Sequence, residues 1–549
     1  MTVNLPCPTR RRRALLPVVA AAGAVALAAM AGSSAALPLL PTYASYKVGW
    51  NSGEPSVGFD PKADAAIFTA GTDTVRMRWD AHNALIEDKN VSDPDAVTSF
   101  DPIGVVDPAT HRSFTSQLTL ACSLLSYSDD AGKTWTPSSG CGPATLLDHQ
   151  TVGVGPYPKE AKPATASITG YPDAVYYCAQ NGYSGTCARS DDGGVTFPFS
   201  APAYNAPTVH SDDNYGGACS AIHGHLRVSP DGTVYLPNKG CGGTPTAGNL
   251  TNSEFFGGSP AVIVSEDAGA SWTVRKVPGS KNPDESDPSV AFDKSNTVYF
   301  GWEDGVNPTE TQLGTTSTAK IAVSHDHGRT WTKPYDVSSA LGLHNIQFPE
   351  VIAGDPGRAA FSFIGTPGIG DDQHIGFVGE WHLYVATTLN GGKSWVTVDA
   401  TPTDPVQRGC ISLQGTSNKN VADNNLCNQR NLLDFNDITV DPQGRVLVAY
   451  SDGCVKTCVD NPKSGSKGAL SMLLRQTGGP RLYRSTSVLP PALPVTGPGG
   501  TTAPGSSGAA HAGSPLAATG GTPLLAGTAA VLLAGGAALR RRRRHASVG

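Results

Sequence analysis

Acidic residues and histidines stand just before several short apolar segments, where a chain entering a β-strand holds such groups at one end of a sheet. Carboxyl and imidazole groups commonly transfer protons in enzymes, so their convergence favours acid–base chemistry or binding of a polar ligand. His223 and His225 place both rings on one side of a strand, as a metal pair requires. Packing or hydrogen bonding to a substrate is preferred, because no carboxylate partner is evident. The set comprises Glu54, His223, His225, Asp287, Glu350 and Asp437, with Arg408, Arg430 and Asp434 in the longest insertion.

An alternating segment that ends in a turn recurs along the chain and supplies the strands before which these residues stand. Most intervals are about sixty residues, enough for a four-stranded blade with an elaborated loop. The repeat predicts an all-β propeller of seven four-stranded blades, with six as the alternative if the first and last strand sets close one shared blade. The segments begin near Pro55, Ile103, Ala164, His225, Pro288, Pro349 and Asp437.

A second repeat has the pattern Ser or Thr, spacer, Asp or Asn, spacer, Gly, spacer, Thr or Ser, aromatic. The acid can accept hydrogen bonds from the turn's own N–H groups, the glycine adopts a backbone angle that other residues resist, and the aromatic ring packs into the blade. These acids are expected to stabilise blades rather than to catalyse. No cofactor or metal is expected, and a structural calcium ion is the open alternative. The copies are residues 128–135, 190–197, 265–272, 324–331 and a weaker 388–395.

These boxes resemble those of sialidases and other Asp-box (BNR) glycoside hydrolases, at repeat level over residues 50–485. The resemblance implies a sialidase-like glycoside hydrolase of the exo-α-sialidase type, acting on terminal sugars of glycans or glycoproteins. The alternative is a non-catalytic surface propeller, an adhesin or lectin that binds glycans or proteins. A lyase or another glycan-cleaving activity is the third hypothesis.

A sialidase-type site implies a role for each candidate residue. Arg408 and Arg430 would hold the substrate carboxylate, with Arg76 or Arg227 as a third guanidinium and His223 and His225 as further substrate contacts. Glu350 would activate Tyr450 as the nucleophile. Either Asp287 or Asp437 would donate the proton to the leaving group.

Ten of the 11 cysteines follow Cys7 and fall into near neighbours. An even count with local spacing in an exported chain predicts loop-closing disulfides. A metal site is the rival hypothesis for the last pair, although no second thiol pair or suitably spaced histidine accompanies it. The expected pairs are Cys122–Cys141, Cys178–Cys187, Cys219–Cys241, Cys410–Cys427 and Cys454–Cys458.

The two ends predict export and attachment to a bacterial cell surface. Residues 1–36 have four arginines, an apolar run and a small-residue site, typical of a signal peptide. Residues 516–549 resemble a sortase sorting signal of the LAxTG form, with an apolar segment and an arginine cluster. Cleavage between Thr519 and Gly520 would join the chain to cell-wall peptidoglycan, and a membrane anchor is the alternative.

Residues 37–487 form the predicted propeller, and residues 488–515, rich in Pro, Gly, Ala and Ser, form a predicted stalk. Without the two processed ends, 31 basic residues face 46 acidic ones. This excess of negative charge argues against a nucleic-acid partner, whose phosphates require a basic surface.

Overall fold

A computed structural model describes residues 40–97, 101–118, 123–139, 148–211, 218–243, 259–280, 286–305, 316–413, 427, 429–461 and 465–484. These residues form seven largely antiparallel sheets arranged as a β-propeller, which confirms the predicted fold class and the prediction of seven rather than six blades. The predicted signal peptide, the stalk and the sorting signal lie outside the described residues. None of the helices within the described ranges has the length and apolar character needed to cross a membrane.

The first three blades each contain four strands that follow one another from the centre outward. Blade 1 comprises β2 (Ser56–Asp60), β3 (Ala65–Ala70), β4 (Asp73–Trp79) and β5 (Leu85–Asn90). Blade 2 comprises β6 (Ile103–Val106), β7 (Ser113–Leu118), β8 (Ser123–Ser128) and β9 (Thr136–Pro137). Blade 3 comprises β10 (Asp148–Gly155), β11 (Ala174–Gln180), β12 (Gly185–Ser190) and β13 (Phe199–Pro202).

The next three blades keep this order, and blades 4 and 6 have additional short strands. Blade 4 has β14 (His210–Ser211), β15 (Ala218–Cys219), β16 (Arg227–Val228), β17 (Val234–Gly243), β18 (Ser259–Ser265) and β19 (Thr273–Lys276), with β15 and β16 both inside β17. Blade 5 has β20 (Ser289–Phe292), β21 (Val298–Gly305), β22 (Ser317–Ser324) and β23 (Tyr335–Asp336). Blade 6 has β24 (Asn345–Ala353), β25 (Ala359–Thr366), β26 (Glu380–Thr388), β27 (Val396–Asp399) and the short β28 (Gln407–Arg408).

Blade 7 closes the ring with strands from both ends of the described chain. Its inner strands are β29 (Asp437–Val440), β30 (Val446–Asp452) and β31 (Leu470–Gly478), and its outer strand is β1 (Thr42–Asn51). The antiparallel pairing of β1 with β31 runs from Thr42 opposite Gly478 to Asn51 opposite Leu470. The two ends of the propeller sequence are therefore held together by a full strand of backbone hydrogen bonds.

One predicted inner strand is wrong. Ala164–Thr169 is the helix α1, and the inner strand of blade 3 is β10. Pro163 precedes the helix and Gly170 ends it with φ of 75°, and both residues are ordinary helix-boundary signals. The other helices of the described residues are α2 (Thr457–Asp460) and the 3₁₀ turns Lys159–Ala161 and Ser339–Leu341.

The five repeated boxes form turns between the third and fourth strands of blades 2 to 6, and they have the predicted internal hydrogen bonds. In the first box, Asp130 accepts from the Thr134 N–H at 2.9 Å and from the Thr134 hydroxyl at 2.8 Å, while Ser128 Oγ accepts from the Gly132 N–H at 2.8 Å. Burial opposes ionisation, but these hydrogen bonds lower the pKa of Asp130. The acid is satisfied by its own turn.

The box turns also receive arginines from the preceding blade. Arg76 Nη1 donates to the Ala131 carbonyl at 3.1 Å, and Arg275 Nη1 donates to the His327 carbonyl at 2.7 Å. Ala131 and His327 occupy the same box position and have φ of 56° and 61°. This left-handed conformation turns the carbonyl toward the neighbouring blade, so the arginines join adjacent blades.

Four of the predicted disulfides are confirmed: Cys178–Cys187, Cys219–Cys241, Cys410–Cys427 and Cys454–Cys458. The metal hypothesis for the last pair is wrong, because its sulfurs bond to each other. The fifth predicted pair, Cys122–Cys141, lies outside the described residues.

Candidate functional site

A central pocket opens where the inner strands begin. Each of the seven blades contributes an ionisable side chain to the pocket or to the layer directly behind it. Because strand direction alternates within a blade, the box turns lie at the opposite end of the propeller. The lining residues are Glu54, Asp101, His149, Gln150, Thr151, His223, Gly224, His225, Asp287, Asp434 and Phe435.

His225 lines this pocket, and its ring lies next to two carboxyl groups. Its Nδ1 lies 3.4 Å from Glu350 Oε1 and 3.8 Å from Asp437 Oδ1. Its ring packs edge-on against Phe435, with centroids 4.7 Å apart. The other ring nitrogen, Nε2, is buried without a hydrogen-bond partner. Nε2 is therefore the ring atom that the surrounding side chains leave without a hydrogen bond.

Asp437 and Glu350 are fixed by further hydrogen bonds behind the ring. Asp437 Oδ1 accepts from Arg227 Nη2 at 2.8 Å, and Oδ2 accepts from the Val57 N–H at 2.9 Å. Glu350 Oε2 accepts from the Ser289 hydroxyl at 2.8 Å. These contacts hold the carboxyl groups in place, and thereby the imidazole.

Burial and neighbouring charges shift the pKa values of Glu350, Asp437 and His225 away from their usual values. Burial raises the pKa of Glu350 to about 7, with a contribution from the charge of Asp437. Burial also opposes the charge of Asp437, but Arg227 and His225 lower the pKa of Asp437 below its usual value. Burial disfavours the imidazolium of His225, yet Glu350 and Asp437 outweigh burial and raise the pKa of His225. Two carboxyl groups with divergent pKa values beside a protonatable imidazole are typical of acid–base sites.

A second ionisable group occupies the other side of the pocket. His149 Nδ1 lies 3.3 Å from Asp148 Oδ2, and His149 Nε2 lies 3.6 Å from Asp287 Oδ1. The backbone N–H of His149 donates to Asp101 Oδ2 at 3.0 Å. Glu54 is 1 % exposed, and its Oε2 has no hydrogen-bond partner. Burial, together with Asp101 and Asp434, raises the pKa of Glu54 well above its usual value.

His223 lies between the two groups and is uncharged. Its ring contacts those of His149 and Tyr204, with centroids 6.2 and 6.0 Å away. Burial and the charge of His149 lower the pKa of His223 to about 3. Its Nε2 is buried and unpartnered, so a neutral imidazole faces the pocket.

The arginines predicted to clamp a substrate carboxylate are not brought together. Arg430 forms a bidentate ion pair with Asp434 at the pocket, and Arg227 is bound to Asp437. Arg408 pairs with Glu380 and donates to the Cys458 carbonyl at 2.9 Å; it does not line the pocket. Arg76 binds Glu87 at the box end of blade 1.

Tyr450, predicted as a nucleophile, lies inside blade 7. It is 1 % exposed, and its hydroxyl donates to Ser45 Oγ at 2.9 Å. Glu350 is instead beside His225, and Asp287 is beside His149. The structure therefore brings His223, His225, Asp287, Glu350 and Asp437 to one site, and it leaves Tyr450 apart from them.

The sequence analysis missed Asp101, Asp148 and His149. Asp101 stands two residues before β6, the same offset at which Glu54 stands before β2 and Asp287 before β20, so this offset was a usable signal. Asp148 and His149 were missed because the inner strand of blade 3 was placed at Ala164. A register shift between Asp148 and Thr151 turns His149 into the pocket.

The BNR/Asp-box repeat family model matches residues 126–137, which include the first box. No curated protein sequence matches the chain significantly. The fold and site thus define a seven-bladed propeller with an Asp-box repeat and a polar central pocket.

Three solved structures illustrate the range of distant similarity. A protein of unknown function from Dyadobacter fermentans has 15% identity over 80% of this chain and 98% of its own, with a TM-score of 0.37. A Hadza microbial sialidase has 14% identity over 75% and 73%, with a TM-score of 0.35. Aleuria aurantia lectin, in complex with α-methyl-L-fucoside, has 9% identity over 66% and 96%, with a TM-score of 0.35. Similarity at this level assigns neither an activity nor a substrate to this chain.

Proposed function

We propose that this protein is an exported glycoside hydrolase that cleaves terminal neutral sugars in its central pocket. The observation that carries the proposal is His225 in the pocket wall, whose Nδ1 faces Glu350 and Asp437 while its buried Nε2 has no hydrogen-bond partner. A carboxylate-backed imidazole can donate a proton to a glycosidic oxygen and then accept one from water. Asp287 and the neutral His223 line the same pocket and can hydrogen-bond sugar hydroxyl groups.

The charge of the pocket supports neutral sugars over the acidic sugars that a sialidase-type enzyme binds. Glu54, Asp101, Asp287 and Asp434 line it, and Arg430, the arginine beside them, is already bound to Asp434. Binding of a sugar carboxylate would require a guanidinium group to leave its partner.

Disulfides and the ends of the sequence support export. Four local disulfides are typical of proteins that mature in an oxidising environment. The proposal places the propeller outside the cell, attached through the LAxTG-type segment.

The test is turnover of a panel of fluorogenic glycosides by the full chain and by His225→Gln. The panel contains neutral hexosides, N-acetylhexosaminides, fucosides and sialosides. We expect turnover of a neutral substrate, and a loss of kcat of about 100-fold or more in His225→Gln with little change in KM. His82→Gln is the matched control, because His82 is exposed on a turn.

The outcomes separate the competing functions. Saturable glycan binding without turnover would favour the non-catalytic binding propeller. Preferential turnover of sialosides would contradict the neutral-sugar proposal. Full activity in His225→Gln would remove His225 from the mechanism.

A further inference from the structure

The carboxylates around His149 differ from those around His225 in the hydrogen bonds and ion pairs that their oxygens form. Asp437 accepts from Arg227 and from two backbone N–H groups, so its oxygens are occupied. Within the described residues, Asp101 and Asp148 form no ion pair with an arginine or lysine, although Asp101 lies in the field of Arg430. Asp101 Oδ2 accepts from the backbone N–H of His149 at 3.0 Å, and Asp148 Oδ2 accepts from Gln180 Nε2 at 2.8 Å.

In this second group, potential metal-ligand atoms of three side chains lie close together. One ligand atom each from Asp101, Asp148 and His149 lie within 4.8 Å of one another. His149 Nδ1 lies 3.3 Å from Asp148 Oδ2 but forms no well-aligned hydrogen bond. Two carboxylates and one imidazole at such separations match the donor set that divalent transition cations take in proteins.

An independent observation comes from blade 1. Glu54 is 1 % exposed, lines the same pocket as Asp101 and His149, and has an unpartnered Oε2. Its electrostatic neighbours include both Asp101 and His149. A buried carboxyl oxygen without a donor is costly unless something else binds it.

The charges around the pocket indicate that a partner for the Glu54 carboxyl oxygen would be positively charged. Glu54, Asp101, Asp148 and Asp287 surround His149, and Arg430 is engaged by Asp434. Protonation relieves part of this repulsion, and a divalent cation relieves it without loss of the carboxylates.

We infer that Asp101, Asp148 and His149 bind a divalent transition cation, Mn²⁺ or Zn²⁺, next to the buried carboxyl group of Glu54. The cation joins blades 2 and 3. The inference stands on binding groups alone and is independent of the hydrolase proposal.

The experiment is titration of the full chain, purified without a histidine tag and stripped with EDTA, by MnCl₂ and ZnCl₂ in a calorimeter. CaCl₂ and MgCl₂ serve as comparison cations. We expect one equivalent of Mn²⁺ or Zn²⁺ per chain and a higher melting temperature in its presence. Asp101→Asn and His149→Gln each weaken this binding by more than about tenfold.

His382→Gln is the matched control. His382 also stands between two acids, with Nε2 3.2 Å from Glu380 and Nδ1 3.5 Å from Asp399, but on opposite sides of the ring. It keeps full cation binding. Melting curves in EDTA establish that each variant is folded, and Asp101→Asn, which keeps the side-chain shape, decides the matter if His149→Gln does not fold.

Three results overturn the inference. They are no specific binding by the unsubstituted chain, unchanged affinity in folded Asp101→Asn, and tighter binding of Ca²⁺ than of Mn²⁺ and Zn²⁺. The readouts are affinity and melting temperature, so a cation can be demonstrated in a chain that hydrolyses nothing.

Discussion

Glu54 and His149 reach one pocket through the same unusual backbone conformation. Their φ angles are +52° and +49°, in the left-handed region that residues with a Cβ seldom adopt. Glu54 is buried and His149 is half-buried in the pocket wall, and each has a side-chain atom without a well-aligned hydrogen bond. Such conformations cost roughly 1–3 kcal/mol each and occur in tight turns as well as at functional sites. At Glu54 and His149 the conformation directs ionisable side chains of two different blades into one pocket.

Tyr450→Phe tests whether Tyr450 has the nucleophilic role that the sialidase resemblance implies. We expect unchanged turnover and a loss of about 1 kcal/mol in the free energy of unfolding, because the hydroxyl only donates to Ser45. Turnover assays and urea melts measure both. Ser45→Ala is the control and removes the same hydrogen bond. A folded Tyr450→Phe that loses turnover more than about tenfold would restore the nucleophile hypothesis.

Glu350→Gln tests the protonation of the group behind His225. The pKa of Glu350 is raised to about 7, so the folded chain binds its proton more tightly than the unfolded chain does. The stability that Glu350 contributes is therefore present at low pH and lost as the pH rises through about 7. Between pH 5 and pH 8, we expect the free energy of unfolding of the unsubstituted chain to fall by about 2–3 kcal/mol more than that of Glu350→Gln.

His225 acts in the same direction, since its raised pKa also ties stability to the protonated form, whereas Asp437 stabilises above its lowered pKa. Arg227 faces this group as a permanent charge. Glu160→Gln, on an exposed 3₁₀ turn, is the control. Parallel pH profiles for Glu350→Gln and the unsubstituted chain would contradict the assignment.

The Arg430–Asp434 pair is expected to be structural. Arg430→Met leaves Asp434 without a partner beside Glu54, and we expect a loss of about 3 kcal/mol in the free energy of unfolding. The double variant with Asp434→Asn recovers part of that loss, because the uncompensated carboxylate is then gone. Denaturant melts of the two single variants and the double variant measure the coupling. Strictly additive losses would show that the two side chains act separately.

Attachment to the cell wall is tested at the predicted sorting signal. Replacing Thr519 and Gly520 by alanines is expected to move the protein from the wall fraction to the medium or membrane, because the transpeptidase loses its cleavage site. The same change at Thr496 and Gly497 is the control and leaves wall retention intact, because their segment Leu493–Gly497 (LPVTG) resembles the sorting pentapeptide but is separated from the apolar segment by a long Pro/Gly/Ser stretch. Retention in the first variant would contradict sorting at this position.

The repeats alone were sufficient to predict the propeller. Strand-start segments such as 288–293 and boxes such as 128–135 are local patterns, and their hydrogen bonds form within a few residues. Cysteine spacing predicted five disulfides, and the four that lie within the described residues are confirmed for the same reason, since each closes a short loop. The Ala164 segment failed because a Pro and a Gly at its ends favour a helix over a strand.

The sequence also determined which side chains stand at the strand starts, and so named His225, Glu350 and Asp437. Tertiary structure decided their partners. Ring closure brings Arg227 of blade 4 to Asp437 of blade 7, and a register shift in β10 turns His149 toward Asp287. The tertiary structure also pairs Arg408 with Glu380 and places Tyr450 inside a blade. Local pattern fixes strands and turns, whereas contacts between blades, such as that of Arg227 with Asp437, depend on how the blades close into a ring.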